Sequence, residues 1–360
     1  MSYKFVQQFS LGVFPDMEAE LTSPPRAAHA RCQFVVSFVA FSFVVLSLVT
    51  LAPRVLAQGG WVGARAGQAG RDLNTVYFAN DKRGWIAGDA GVVFRTEDGG
   101  RTWARQPSGV EESVNDIYFR DKDEGYLLAG NQILTTDNGG ALWHAAHTFA
   151  SAEFDGASPD LYSVRFATKK RGWVVGSLSR GSDVVDSLVL YTDDGGMSWQ
   201  RRIVPARVEL LHLDFDGEKR GWIVGDRGII LHTEDAGATW TKQDSNTTAT
   251  LYHVEFDDYE NGWAVGERST ILRTNDGGKS WTQVRSAVTG TGATLSSVSF
   301  VNKDEGWIVG RRGLILRSSD GGRTWLRQES KTTEHLFALF FKGKTGWAVG
   351  GDGMVLQYER

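Results

Sequence analysis

Seven dipeptides of glycine and a large aromatic residue recur between residues 84 and 347, and nothing else in this 360-residue chain constrains its fold as strongly. They are Gly84-Trp85, Gly125-Tyr126, Gly172-Trp173, Gly221-Trp222, Gly262-Trp263, Gly306-Trp307 and Gly346-Trp347, at aromatic-to-aromatic spacings of 41, 47, 49, 41, 44 and 40. Periods of this size belong to stacked or radial arrays, whose units cannot bury their faces alone. Inside each unit the apolar residues alternate, as strands require. An opening segment, Leu73-x-x-Val76-x-Phe78, returns as Leu161, Val164 and Phe166, as Leu251, Val254 and Phe256, and as Leu295, Val298 and Phe300. A charged turn follows, then the Gly-Trp strand, a third strand such as 228–233, and a fourth beginning near Trp240. Four short antiparallel strands, seven times over, predict an all-β chain folded as a seven-bladed β-propeller.

Six units carry a second signature between their third and fourth strands. It reads Thr96-Glu97-Asp98-Gly99-Gly100-Arg101-Thr102-Trp103 in the first unit, and returns at 136–143, 192–199, 233–240, 274–281 and 318–325. Its central residue is Asp98, Asp194, Asp235, Asp276 or Asp320, with Asn138 in the second unit. This is the Asp box, or BNR repeat. The side-chain oxygen can accept from the turn's own N–H groups, glycine permits positive φ where the chain reverses, and the tryptophan fills a gap between sheets and can satisfy its indole N–H locally. An acid in every unit invites a reading as metal ligand or catalytic group. Identical outer turns spaced around a ring cannot converge on one site, so the boxes are structural, and neither a metal nor a cofactor is expected.

Ring closure follows from arithmetic. Within a unit the Gly-linked tryptophan precedes the Asp-box tryptophan by 18 residues, as Trp85 precedes Trp103, which for Trp347 calls for position 365, beyond Arg360. Trp61 lies 24 residues before Trp85, close to the 23 that separate Trp199 from Trp222. The strand around 60–64 is therefore predicted to pair with 353–358 and supply the missing fourth strand of the last blade, removing an exposed edge.

Residues 1–57 read as a separate segment, a signal peptide or N-terminal membrane anchor, ahead of a propeller over 58–360. Phe34 to Ala52 is an uncharged apolar run, and Val55-Leu56-Ala57 places small residues where signal peptidase reads them. A run of about 20 apolar residues also suffices to span a bilayer. The expected location is extracytoplasmic. The single cysteine, Cys32, leaves no material for a disulfide framework, a CxxC pair or a Cys-based zinc site. The seven histidines show no HxH or HExxH spacing. Beyond residue 57 the chain has 35 basic and 40 acidic side chains, a poor balance for nucleic acid, where Lys and Arg supply affinity by neutralising phosphates.

Gly-Trp-x-Val-Gly followed by Thr-x-Asp-Gly-Gly-x-Thr-Trp, repeated in an exported chain, resembles the photosystem II stability/assembly factor family. The resemblance covers residues 58–360. It implies a periplasmic or thylakoid-lumenal propeller without cofactor or catalysis, which assists photosystem II biogenesis by holding the precursor of a reaction-centre subunit. The implied partner is a protein, in the form of a membrane-protein segment. Membrane contact is expected only through the N-terminal segment if uncleaved, and the propeller is expected to be a monomer. The third unit departs from the compact pattern with extra loop at 147–159 and 177–187, natural places for a specificity of its own.

Two sets of residues are candidates for function. The turn joining second and third strands lies on the same face as the blade-to-blade connections, and it holds Arg227 in the fourth unit, Arg268 in the fifth, and Arg311 with Arg312 in the sixth. Arginine offers a planar donor fork for carboxylates and carbonyls, and the resemblance gives weight to an arginine-rich partner surface here. On the opposite face, Lys82-Arg83, Lys169-Lys170-Arg171 and Lys219-Arg220 alternate with acidic turns and read as a mixed, solvated surface. The second set lies on the innermost strands, where the residue between the last two apolar positions is Tyr77, Tyr118, Arg165, Asp214, Glu255, Ser299 or Phe340. Three charges near the axis imply a structural ion pair or a water-filled channel, since unpaired burial is costly. Two carboxylates flanking a cleft are also how glycosidases work, so a glycan-active hydrolase, sialidase-like or endoglucanase-like, is the alternative. No Arg-Ile-Pro stretch of the sialidase type precedes the first Asp box, and a non-catalytic binding scaffold is the favoured expectation.

Overall fold

The computed structural model describes residues 59–66 and 70–359; the expected export signal within 1–57 lies outside the described residues. These residues form seven antiparallel sheets of four strands each. Blades 1 to 6 cover 73–106, 114–148, 158–202, 210–243, 251–283 and 295–328. Blade 7 takes three strands from 336–359 and its fourth from Gly60–Arg65. The first strand of every blade neighbours the first strand of the next, and that of blade 7 neighbours that of blade 1. The ring is closed, with the first strands around the axis. The closing strand pairs as its tryptophan spacing predicted, with Trp61 opposite Tyr358 and Arg65 opposite Met354.

Each seam between blades is built on one phenylalanine. Phe78, the last residue of a first strand, pairs across the sheet with Gly84, and a Cβ on that glycine would come within 2.4 Å of the ring. The same holds at Gly125, Gly172, Gly221, Gly262, Gly306 and Gly346, with approaches of 2.3 to 2.6 Å. The Gly-aromatic glycine is therefore required for space rather than for backbone freedom. The aromatic beside it stacks on the phenylalanine of the following blade: Trp85 on Phe119, Trp222 on Phe256 and Trp347 on Phe78 have ring centroids 3.5, 3.4 and 3.5 Å apart, all at 11°. That phenylalanine meets the Asp-box tryptophan of its own blade edge-on, as Phe256 meets Trp281 at 5.8 Å and 89°. In blade 7 the edge-on partner of Phe341 is Trp61, at 6.0 Å and 80°.

The Asp boxes brace this contact. Asp98 accepts from the Thr102 N–H at 2.9 Å, the Thr102 hydroxyl at 2.6 Å and the Thr96 hydroxyl at 2.8 Å. These hydrogen bonds stabilise the carboxylate and hold its pKa down at about 2. Asn138 keeps the backbone bond, to Leu142 N–H, where the other boxes present a hydroxyl. Sequence reasoning expected the box tryptophans to satisfy their indoles locally. Only Trp325 does so, on Gly322 O at 3.1 Å; Trp103, Trp143, Trp199 and Trp240 have no partner for Nε1. Instead five of the seven Gly-linked aromatics reach into the next blade's box, while Trp173 Nε1 stays without a partner. Trp85 donates to Gly139 O, Tyr126 to Gly195 O, Trp222 to Gly277 O, Trp263 to Gly321 O and Trp347 to Gly99 O. Blade 7 has no box, and Trp307, which faces it, donates to Gln328 of its own blade.

Of the two extra loops expected in blade 3, 177–187 is mostly strand, whereas 147–159 is strand only at its two ends and holds a 3-10 turn at Ser151–Phe154. Residues 177–187 extend the hairpin Gly172–Arg180 and Asp183–Thr192, and Ser158 and Pro159 begin the first strand. Leu178 and Leu188 are buried there with Phe149, Phe154 and Ala157 as part of the core between blades 2 and 3, so the extension continues that core, which serine and aspartate interrupting the alternation concealed.

Truncating Trp61 to alanine is expected to destabilise the ring by about 3–5 kcal/mol, the usual cost of a buried tryptophan. Gly221→Ala should cost about 1–3 kcal/mol by overpacking Phe215. Gly60→Ala, whose Cβ would meet nothing within 4 Å, should stay within about 0.5 kcal/mol. Chemical denaturation of the three variants checks the order.

Candidate functional site

The arginine turns are short 3-10 or left-handed turns between the second and third strands of blades 4 to 6. Arg227, Arg268 and Arg312 have φ of +53°, +55° and +58°. Residues with a Cβ enter the left-handed region at a cost of about 1–2 kcal/mol, and such strain clusters where function constrains the chain. The corresponding residues are Ala90 in blade 1 and Asp352 in blade 7. Three consecutive blades thus lift an arginine at the apex, and the blades on the other side of the ring do not.

The Arg227 side chain is 79% exposed, with its Nε 3.6 Å from Asp226. Arg268 donates to the Thr248 hydroxyl at 3.1 Å. Arg311 sits at the base of its turn, its N–H on Thr294 O. The long hairpin of blade 3 rises from the same face beside blade 4. At about 3.3 Å per residue, its four extra residues project roughly 13 Å, and near its tip Arg180 donates to Asp155 O. The spacing of the arginines was legible in the sequence, whereas the wall beside them was not. A cavity of about 120 Å³ lies on blade 1 at its border with the closing strand, with Leu73, Val92 and Phe94 below and Arg71 and Arg105 at its rim; sequence reasoning passed over it.

On the opposite face the basic turns are engaged. Arg83 bridges Glu97 and Asp123, Arg171 pairs with Glu218, and Arg220 lies over the Tyr259 ring at 4.5 Å.

Around the axis, the singled-out position of the first strand ties each blade to the next. Tyr77 donates to Phe119 O at 2.7 Å and Tyr118 to Phe166 O at 3.1 Å. Asp214 accepts from Phe256 N–H at 2.8 Å, and Glu255 from Phe300 N–H at 2.9 Å. Phe340 packs on Tyr77, which packs on Tyr118. The ion pair at the axis is made by Arg165 with Asp116, at 2.8 Å, rather than with Asp214 or Glu255. Asp116 also accepts from Thr75, Ser163 and the Val164 N–H. The second Arg165 nitrogen meets His212, which stacks on His253 at 3.8 Å. Asp116, His212 and His253 share the position just before the central apolar residue of the motif, and three titratable residues there on four consecutive blades were the overlooked signal.

Burial and the adjacent Arg165 push both histidines down, His253 to about 3, and the stacked His253 adds to the effect on His212. Burial raises Asp214, and raises Glu255 to about 8 despite its backbone bond, with Asp214 contributing. Both carboxyls face the blade seams they tie, which is poor placement for attack on a substrate. Among the described residues no group of three or more His, Cys, Asp or Glu is arranged to hold a metal ion.

The family described as photosynthesis system II assembly factor YCF48 matches residues 65–145, 151–246 and 238–333. The photosystem II stability/assembly factor HCF136 of Oryza sativa subsp. japonica is 32% identical over 113 residues, 31% of this chain and 25% of that protein. The photosystem II assembly lipoprotein Ycf48 of Prochlorococcus marinus is 32% identical over 153 residues, 40% of each. The chain thus aligns with a quarter to two-fifths of these relatives' length. Among solved structures, YCF48 bound to D1 peptide superposes with a TM-score of 0.67 at 20% identity, over 85% of this chain and 98% of that one. A GH74 enzyme from Niastella koreensis superposes at 0.62 and 12% identity, over 82% of this chain and 53% of that one. At such identities the likeness is one of fold.

The axial groups set the pH dependence of stability. A carboxyl whose folded pKa is raised stabilises fully below its ordinary value, near 4.5, and that contribution is lost as pH climbs to about 8. Histidines with lowered pKa act in the opposite sense, losing their contribution as pH falls below about 6.5. Between about pH 6.5 and 8 only the carboxyl slope remains, so unfolding free energy should fall across that window. Glu255→Gln should flatten the fall, as read by denaturant midpoints at half-unit pH steps.

Proposed function

Since this chain belongs to the photosynthesis system II assembly factor YCF48 family, we propose that it is a non-catalytic, extracytoplasmic scaffold that holds a membrane-protein segment during assembly. The partner class is suggested by the relative that binds a D1 peptide. The observation that carries the reading is the row of arginines at left-handed apices on blades 4, 5 and 6. A scaffold needs only a stable ring, and the ring does not require that this shared left-handed apex carry arginine on three consecutive blades and alanine or aspartate on blades 1 and 7; that choice supports a partner. The blade 3 hairpin bounds that sector on one side. Guanidinium groups here would take carboxylates or backbone carbonyls of an extended peptide. The apolar run 34–52 would deliver the propeller across a membrane and either be removed after Ala57 or remain as its anchor.

The hydrolase alternative rests on the fold shared with the GH74 enzyme. Against it stand the axial carboxyls, since Asp214 and Glu255 are spent on backbone N–H groups of the neighbouring blades.

Pull-down from the native membrane with wild type and an Arg227/Arg268/Arg311/Arg312→Ala variant tests the reading. Loss of a membrane-protein partner by the variant, at unchanged melting temperature, is expected. Equal recovery by both proteins would remove the arginine assignment. Saturable glycan hydrolysis abolished in Asp214→Asn or Glu255→Gln would replace the scaffold with an enzyme.

A further inference from the structure

The arginine apex of blade 6 is held from the neighbouring blade. Arg312 N–H donates to His335 Nδ1 at 3.1 Å, and Gly313 N–H donates to Glu334 O at 2.7 Å. His335 immediately precedes the first strand of blade 7, Leu336–Lys342. The next blade repeats the device: Asp352 N–H at the apex of blade 7 donates at 3.0 Å to Asp72, which immediately precedes the first strand of blade 1. In both cases the apex residue has positive φ, and a side chain one blade on supplies the acceptor that secures it. In blade 6 that acceptor is an imidazole nitrogen, and it accepts only in the neutral tautomer with Nδ1 bare.

We propose that His335 is a positioning residue for the partner-binding arginine sector: neutral, it fixes the Arg312 turn, and protonated, it releases it. The proposal rests on the reading that this sector holds the partner. Histidine is the side chain type that changes charge between about pH 5 and 8. A proton on Nδ1 replaces the acceptor with a donor facing the Arg312 N–H. Asp72 couples to the imidazole electrostatically, and Glu334 is its chain neighbour. Two N–H donors then face each other across the former bond while Asp72 attracts the imidazolium, and both effects favour release.

The test has two readouts on the full chain. The first is the Arg312 amide resonance in ¹H–¹⁵N spectra between pH 8 and 5.5. It should titrate in wild type. In His335→Asn, whose Oδ1 takes the place of Nδ1 without titrating, it should stay fixed. The second is affinity for a D1 peptide. Wild type should weaken about three- to tenfold across the same range, the factor that one neutral hydrogen bond is worth. His335→Asn should bind at both pH values as wild type binds at pH 8, and His335→Ala should bind weakly at both. An Arg312 amide that does not titrate, or titrates alike in His335→Asn, overturns the latch whatever the peptide does. An amide that titrates as expected, with peptide affinity indifferent to pH and to His335→Ala, leaves the turn mechanism standing and overturns the arginine sector as the binding surface.

Discussion

Seven phenylalanines, each clamped between a glycine of its own sheet, a flat aromatic of the preceding blade and the edge of a box tryptophan, hold this molecule together. Buried aromatic pairs contribute about 0.5–1.5 kcal/mol each beyond the area they remove from water, and the contact recurs at every seam. Its geometry leaves no tolerance at the glycine, because the phenylalanine ring occupies the Cβ position. At five seams the Asp box serves the same contact by presenting a carbonyl to the aromatic of the preceding blade, so the turn and the stack depend on one another. Trp61 completes the series by occupying the place of a box tryptophan without a box.

A ring secured at its seams leaves its faces and axis free to differ from blade to blade. The apex between second and third strands is left-handed in all seven blades, on glycine in blades 2 and 3, and in the other five its side chain is alanine, aspartate or arginine. The backbone is common property; the arginines on blades 4 to 6 are this sector's own. Blade 3 adds a long hairpin beside them, packed onto the core it shares with blade 2. The resulting face carries a wall and arginine apices on one side only.

The axis differs by sector as well. Blades 7, 1 and 2 fill it with Phe340, Tyr77 and Tyr118, and blades 2 to 5 carry Asp116, Arg165, His212, His253, Asp214 and Glu255. Every oxygen tie described there goes to a backbone group or side chain of an adjacent blade, so this polar half performs the inter-blade work that stacked rings perform in the other half. Burial without full charge compensation shifts the titration of these groups, and the ring's stability becomes sensitive to pH as a result.

The sequence alone determined the number of blades, their strand order, the closure by Trp61 and the face on which the arginines stand, because each follows from a period, and periodic patterns survive without coordinates. It also singled out Arg165, Asp214 and Glu255 as neighbours around the axis. Tertiary structure decided what those residues touch. Arg165 turned to Asp116, two positions from the one inspected, because the partner of a charge is set by the twist between blades. Of the box indoles that looked local, four have no partner, and the bonds that cross the seams come from Gly-linked aromatics instead. The insertion at 177–187 proved to be strand because Leu178 joined the core between blades 2 and 3, to which Phe149, Phe154 and Ala157 also belong. His335 came to hold Arg312 although 23 residues separate them, a contact that exists only once two blades lie side by side.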